Sequence, residues 1–253
     1  MHEDLKQKLV DAGRVMFSEG LGDYVAGHIS LRLPDNPSRF LMKPAGIGVE
    51  EMNEDNIIVV DLDGMKVEGV SNRHNEVFIH SEVLRARPDV NSVVHAHPIH
   101  TVAFSSLGKA LRAVGNDGTI FASGVPVFDE TTDLITTSER GAAVAQTLGA
   151  RPALILRNHG IVTAGGSVEE SVWLGMKLER ACQTQLLAEN AGGPQFFVKE
   201  EDLASKQKKA YRPDLYNNAF DYALRRFRRT WCACCLDKEQ VTAPQTFKAS
   251  PGG

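Results

Sequence analysis

Ser92-Val93-Val94-His95-Ala96-His97 is a short β-type run that ends on two histidines flanking one alanine. Side chains alternate across a strand, so residues two apart share a face and the two imidazoles converge. Neutral imidazole is the commonest nitrogen ligand of zinc and its neighbours, and such a pair is the start of a transition-metal site. Spacing alone fits equally well two histidines at a strand end, one of them hydrogen-bonded in the core. A second apolar run, Ala153-Leu154-Ile155-Leu156, reads as a central strand and stops at Arg157-Asn158-His159-Gly160. If these two strands are neighbours, His159 joins the pair. Three protein ligands with an open fourth position make the arrangement of a reactive metal, because structural zinc is normally closed by four.

Working outward, Asn75 to Arg87 has a helical pattern, with Val77, His80, Val83 and Leu84 on one side, Asn75 as N-cap and Pro88 just past the end. Glu76 then lies in the first turn, where the helix dipole favours its charge. It reads either as a helix-cap carboxylate or as an acid facing an adjacent cavity. Upstream, Leu5, Leu9, Ala12 and Met16 form the stripe of an amphipathic helix ending near Gly20. Short strands follow at His28 to Leu33, Phe40 to Lys43 and Ile57 to Asp61, with Asp63-Gly64 as a hairpin turn into Met65 to Glu68.

Downstream, Val125 to Phe128 reads as a strand, and Thr136-x-x-Glu139 as the capping box of a helix running to Leu148. Ser167-x-x-Glu170 opens the longest helix, striped by Val168, Val172, Gly175, Leu178, Cys182 and Leu186, which Gly192-Gly193-Pro194 ends. A last amphipathic stretch spans Leu215 to Arg229. The order of elements predicts a single α/β domain, a mixed sheet sandwiched between helices. The expected organisation is a catalytic domain over 1–192, a helical extension over 193–236 and a disordered tail over 237–253.

The chain has 253 residues, 42% hydrophobic and 24% charged, with a net charge of −4, which matches an ordinary globular enzyme and excludes a disordered or collagen-like chain. Neither a membrane-length apolar run nor a signal-peptide core is present, so a cytoplasmic location without membrane association is expected. Cys232, Cys234 and Cys235 crowd one end and do not make a spaced disulfide framework; reduced thiols are expected. A pI near 6.1 gives no field for nucleic acid, although Arg225, Arg226, Arg228 and Arg229 form one basic cluster.

Taken in order, Gly27-His28-Ile29-Ser30, Lys43-Pro44-Ala45-Gly46, Asn75-Glu76, Ala86-Arg87-Pro88-Asp89-Val90, Val94-His95-Ala96-His97 and Arg157-Asn158-His159-Gly160 resemble the landmarks of the class II aldolase/adducin family, over about Leu5 to Leu187. The resemblance implies a largely antiparallel sheet in a three-layer α/β/α fold, assembled as a homotetramer with sites at subunit interfaces. It implies that His95, His97 and His159 bind a divalent metal, zinc first, with manganese, magnesium or iron as alternatives, and that Glu76 is the acid/base.

Departures from the sugar-phosphate aldolases of the family cluster at the phosphate cradle. His74 and Asn75 stand where serines usually precede the glutamate, His28 replaces an asparagine, and Ala45-Gly46 replaces a Thr-Gly element. His28, Lys43, Gly46, Arg73, His74 and Asn75 are therefore candidate substrate contacts suited to carboxylate, with the preference expected to weaken as pH rises through the imidazole range. From the residues alone, His28 and His74 read equally as loop histidines, and His80 and His100 as structural.

The implied activity is a metal-dependent carbon–carbon lyase in which the ion stabilises an enolate or enediolate. Decarboxylation of a hydroxylated aromatic or related (di)carboxylic acid is favoured, with aldol cleavage of a small hydroxy-aldehyde or ketose as the alternative and a non-catalytic adducin-like module behind both. The partner is thus a small carboxylate or hydroxy-carbonyl molecule. Tyr211 and Tyr216 are candidates to reach a neighbouring subunit's site.

Overall fold

A computed structural model describes residues 2–231. The chain runs through α1 (Glu3–Ser18), β1 (His28–Arg32), β2 (Arg39–Met42), β3 (Ile58–Asp61), β4 (Lys66–Glu68), α2 (Val77–Ala86) and β5 (Ser92–Ala96). It continues with α3 (Ile99–Ser105), α4 (Asn116–Thr119), β6 (Val127–Phe128), α5 (Ser138–Leu148), β7 (Ala153–Leu156), β8 (Gly160–Gly165), α6 (Val168–Asn190), α7 (Glu200–Ala210) and α8 (Pro213–Thr230). The strands form one sheet in the order β4-β3-β2-β1-β5-β8-β7-β6, antiparallel at every pairing except β6 with β7.

Alternation along the central strands divides the core in two. Val94, Ala153, Ile155 and Ile161 face a layer containing Leu9 and Met16 of α1, Phe104 of α3, and Leu178 of α6. Val93, Leu154, Leu156 and Val162 face Ile79 and Val83 of α2 and Val144 and Leu148 of α5. Helices on both faces of a mixed sheet make the three-layer α/β fold. Phe220, Ala223 and Leu224 of α8 join the first of these cores, so the last helix is packed into the layer that begins with α1.

β8 corrects the sequence reading. Its six residues lie between β5 and β7, which are therefore not neighbours. Gly160, which ends the run read as Arg157-Asn158-His159-Gly160, is instead the first residue of a fully buried strand. β8 pairs Val162 with His95 and Ile161 with Ala96, and His159 sits in the turn just before it. The third histidine thus reaches the other two because β8 carries it there.

Smaller corrections concern caps. α2 begins at Val77, with Glu76 rather than Asn75 at the cap position and no side-chain cap. α5 is capped by Thr137, whose hydroxyl accepts the Arg140 N–H, and not by Thr136. Ser167 caps α6 as expected, accepting the Glu170 N–H at 3.2 Å. The polar stretch after Gly193 contains α7, within the span expected to be a helical extension. Cys232, Cys234, Cys235 and residues 237–253 lie outside the described residues. Among the described residues no helix is long and apolar enough to cross a membrane.

Candidate active site

Glu76, His95, His97 and His159 each bring one ligand atom into a group whose members all lie within 4.8 Å of one another. The hydrogen bonds around them fix the chemistry of that group. His95 Nδ1 is 2.9 Å from the Ile161 carbonyl, which can only accept, so His95 carries its proton on Nδ1. His97 Nδ1 donates in the same way to the Asp23 carboxylate at 2.9 Å. In the neutral rings both Nε2 atoms are then lone-pair sites, and they stand 3.0 Å apart. His159 Nε2 is buried with no hydrogen-bond partner.

The Glu76 carboxylate closes the set, 3.7 Å from His95 Nε2 through one oxygen and 3.7 Å from His159 Nε2 through the other. Two imidazole lone pairs and a carboxylate facing one another, with the unpartnered His159 Nε2 beside them, are unfavourable unless a cation joins them. The donor set therefore fits a divalent ion held by imidazole and carboxylate. Burial lowers the pKa of His95 well below the ordinary imidazole value and that of His159 to about 4. Removal from water raises the Glu76 pKa, and the Ile135 N–H, donating to its Oε1 at 2.9 Å, opposes that rise.

Next to this group lies a second line of basic side chains. The His28 ring is 4.9 Å from His95 and 4.5 Å from His74, centre to centre. Lys43 is fully buried, and its ammonium donates to the carbonyls of Val25 and Pro44 and to His74 Nε2 at 3.0, 3.2 and 3.1 Å. Without a carboxylate in direct contact, burial brings Lys43 down to about 8. Burial, followed by the Lys43 charge, brings His74 down to about 3. This overturns the expected dependence on imidazole protonation: His74 is neutral at pH 7, and Lys43 is the cation.

The remaining candidates divide. Gly46, exposed at φ 83, and Asn75, also exposed, lie in the loops that carry Lys43 and Glu76. Arg73 turns to its own loop, donating to the His74 carbonyl at 2.9 Å and lying 5.6 Å over the Phe78 ring. Tyr211 and Tyr216 are not brought to the cluster within one chain. Tyr211 donates to Glu170 at 2.7 Å beside Gly165, at the opposite end of β8 from His159, and Tyr216 packs on Tyr211 and Trp173. His100 pairs with Glu179 at 2.6 Å. Asp23 and Ile135 were not legible as site residues, since each acts only through a contact distant in sequence.

The model of the Class II Aldolase and Adducin N-terminal domain matches residues 7–186. The chain belongs to the class II aldolase/adducin family. It is 34% identical to a 3,4-dihydroxyphthalate decarboxylase of Arthrobacter keyseri, over 80% of this chain and 86% of that one. It is also 30% identical to the L-fuculose phosphate aldolase of Escherichia coli, over 79% of this chain and 91% of the relative. Among solved structures, an L-fuculose 1-phosphate aldolase from Glaciozyma antarctica superposes with a TM-score of 0.80 at 29% identity, covering 90% of each chain. An aldolase II superfamily protein from Pseudomonas syringae superposes at 0.81 with 28% identity, over 90% of this chain and 94% of that one.

Proposed function

We propose that this chain is a divalent-metal-dependent carbon–carbon lyase, and that its reaction is decarboxylation of a hydroxylated aromatic or related dicarboxylic acid. The observation that carries the metal is the convergence of the His95 and His97 lone pairs and the unpartnered His159 Nε2 with the Glu76 carboxylate. Carboxylate as the leaving group is supported by the buried Lys43 charge beside His74 and His28, at positions where the sequence departs from the sugar-phosphate aldolases. The likeness to a dihydroxyphthalate decarboxylase supports it further.

A divalent ion at this site supplies Lewis-acid stabilisation of the negative charge left on the substrate. His95, His97 and His159 hold the ion, and Asp23 and the Ile161 carbonyl keep His97 and His95 in the ligating tautomer. Lys43 supplies a positive field that draws in a carboxylate. When the bond to the departing carboxylate breaks, carbon dioxide leaves and the electron pair stays on the ring carbon. Glu76, placed against the ligand histidines with burial raising its pKa, delivers a proton to carbon and regains one from solvent.

Zinc is the expected ion. Homotetrameric assembly and a cytoplasmic location are part of the same reading, the former checked by the mass in light scattering. The deciding experiment loads the protein with zinc and follows two substrate panels, hydroxylated aromatic dicarboxylates and ketose phosphates. Carbon dioxide release on the first supports decarboxylation; aldehyde release on the second, with none of the first, replaces it with aldol cleavage.

A further inference from the structure

β1 carries His28 and Ser30 two residues apart, hence on one face, and both side chains meet His80 of α2. His80 Nδ1 lies 2.7 Å from Ser30 Oγ, and His80 Nε2 lies 2.6 Å from His28 Nδ1. Ser30 and His80 are fully buried and His28 is 1% exposed. The line Ser30, His80, His28 therefore runs without interruption from the core to the ring beside His95.

Such a chain has two directions, and the hydroxyl chooses between them. If Ser30 accepted from His80, its own O–H would be a buried donor with no acceptor among the described residues, which is the costly kind of orphan. If Ser30 donates, its proton, that of His80 Nε2 and the lone pairs of His80 Nδ1 and His28 Nδ1 are all satisfied. His28 must then carry its hydrogen on Nε2, which makes no hydrogen bond to the protein among the described residues. Burial holds both imidazoles neutral, His80 at about 3 and His28 well below its ordinary value, so neither ring donates from both nitrogens.

We propose that Ser30 and His80 are positioning residues that lock His28 as an Nε2–H donor toward the substrate, selecting an oxygen acceptor, such as a carboxylate or phenolate, over an N–H or O–H donor. The selectivity rests on the reading above that His28 faces the substrate; the direction of the chain does not. His80 lies one turn after Glu76 on α2, so the helix that places the acid/base also sets the polarity of His28.

The test uses the full chain loaded with zinc and labelled with nitrogen-15 at histidine, so that two-bond proton–nitrogen spectra report each tautomer. Wild type should show His28 and His80 both as Nε2–H forms. Ser30→Ala should leave His80 and His28 distributed over both tautomers, while His80→Gln, whose amide can still donate to His28 Nδ1, should keep His28 as Nε2–H. A wild-type His28 carrying its proton on Nδ1, or tautomers unmoved in Ser30→Ala, overturns the proposal.

Binding of 3,4-dihydroxybenzoate, followed by calorimetry, gives the second readout. It should weaken about 10-fold or more in Ser30→Ala and stay within about 3-fold in His80→Gln, the size of one hydrogen bond. Equal losses in the two variants overturn the selective role. If the tautomers behave as stated and wild type binds aldehyde-type probes but no carboxylate, the locked direction is upheld and the decarboxylase reading is the one that fails.

Discussion

His159 and Glu76 lie 3.7 Å apart and should separate cleanly by substitution. His159→Ala removes a ligand with no other hydrogen bond and is expected to lower bound zinc by at least about tenfold, the scale of one lost metal contact. Glu76→Gln keeps the three imidazoles and should retain zinc while turnover falls by about 100-fold or more, the usual contribution of a positioned acid. Elemental analysis beside turnover on the same samples separates the two losses.

Lys43 gives a pH dependence whose sign follows from its depressed pKa of about 8 against an ordinary value of 10.5. Between those values the unfolded chain holds a proton that the folded chain does not, so stability rises with pH across that window. Wild type should therefore gain on Lys43→Met by up to about 3 kcal/mol between pH 7 and pH 10.5, read from urea unfolding at each pH. Carboxylate binding should move the opposite way, weakening as pH rises through about 8 and Lys43 loses its charge. A binding curve that breaks near pH 6.5 instead would return the role to a histidine.

β8 places the site, and it also shows why the sequence fell short of the full geometry. The three candidate ligand histidines and Glu76 could be singled out from strand ends and a helix start, because those positions depend on local pattern. The strand Gly160-Ile161-Val162-Thr163-Ala164-Gly165 could not, because glycine at each end is also what a turn looks like, and only pairing on both sides decides. β1 shows the complementary difficulty. Its polar residues His28, Ser30 and Arg32 alternate with Ile29 and Leu31 as a half-exposed strand would, yet all five are buried. The polar face is satisfied by α2: Ser30 and His28 by His80, and Arg32 by the Leu84 and Arg87 carbonyls at that helix's C-terminal end. No periodicity distinguishes such a face from one in water.

At the same scale, Gly160 admits no side chain. A Cβ there would lie 2.4 Å from the Ala96 carbonyl oxygen and 2.7 Å from His97 Cδ2. Gly141 of α5 is as tight against another backbone, 2.4 Å from the Phe78 carbonyl oxygen of α2. Gly160→Ala and Gly141→Ala should each cost about 1–3 kcal/mol through overpacking. Only Gly160→Ala should also lower zinc content, since it moves β8 and His97 while the other pushes α5 from α2.

Across the whole molecule the proposed ligands come from the start of α2, the end of β5 and the turn before β8, so an ion bound there would favour the folded chain alone. Zinc at about a hundredfold above its Kd should add about 2.7 kcal/mol to the unfolding free energy. Scanning calorimetry of the zinc-loaded and chelator-treated protein measures this, and in His95→Ala the two traces should coincide. The two apolar cores lie on either side of the sheet and neither depends on the ion, so the chelated chain should still unfold cooperatively.

The short turn at Arg157-Asn158-His159 has a consequence in time. β7 and β8 close across that turn, Asn158 taking up the left-handed φ of 55, whereas β8 reaches β5 only after a loop of many tens of residues has been closed. Local hairpins form in microseconds and distant pairings wait on loop entropy, so His159 stands ready on its hairpin well before His95 and His97 arrive. The ion can be chelated only once that distant clasp is made. In stopped-flow traces zinc should leave the refolding rate unchanged and slow unfolding, acting as a latch on a door that has already shut.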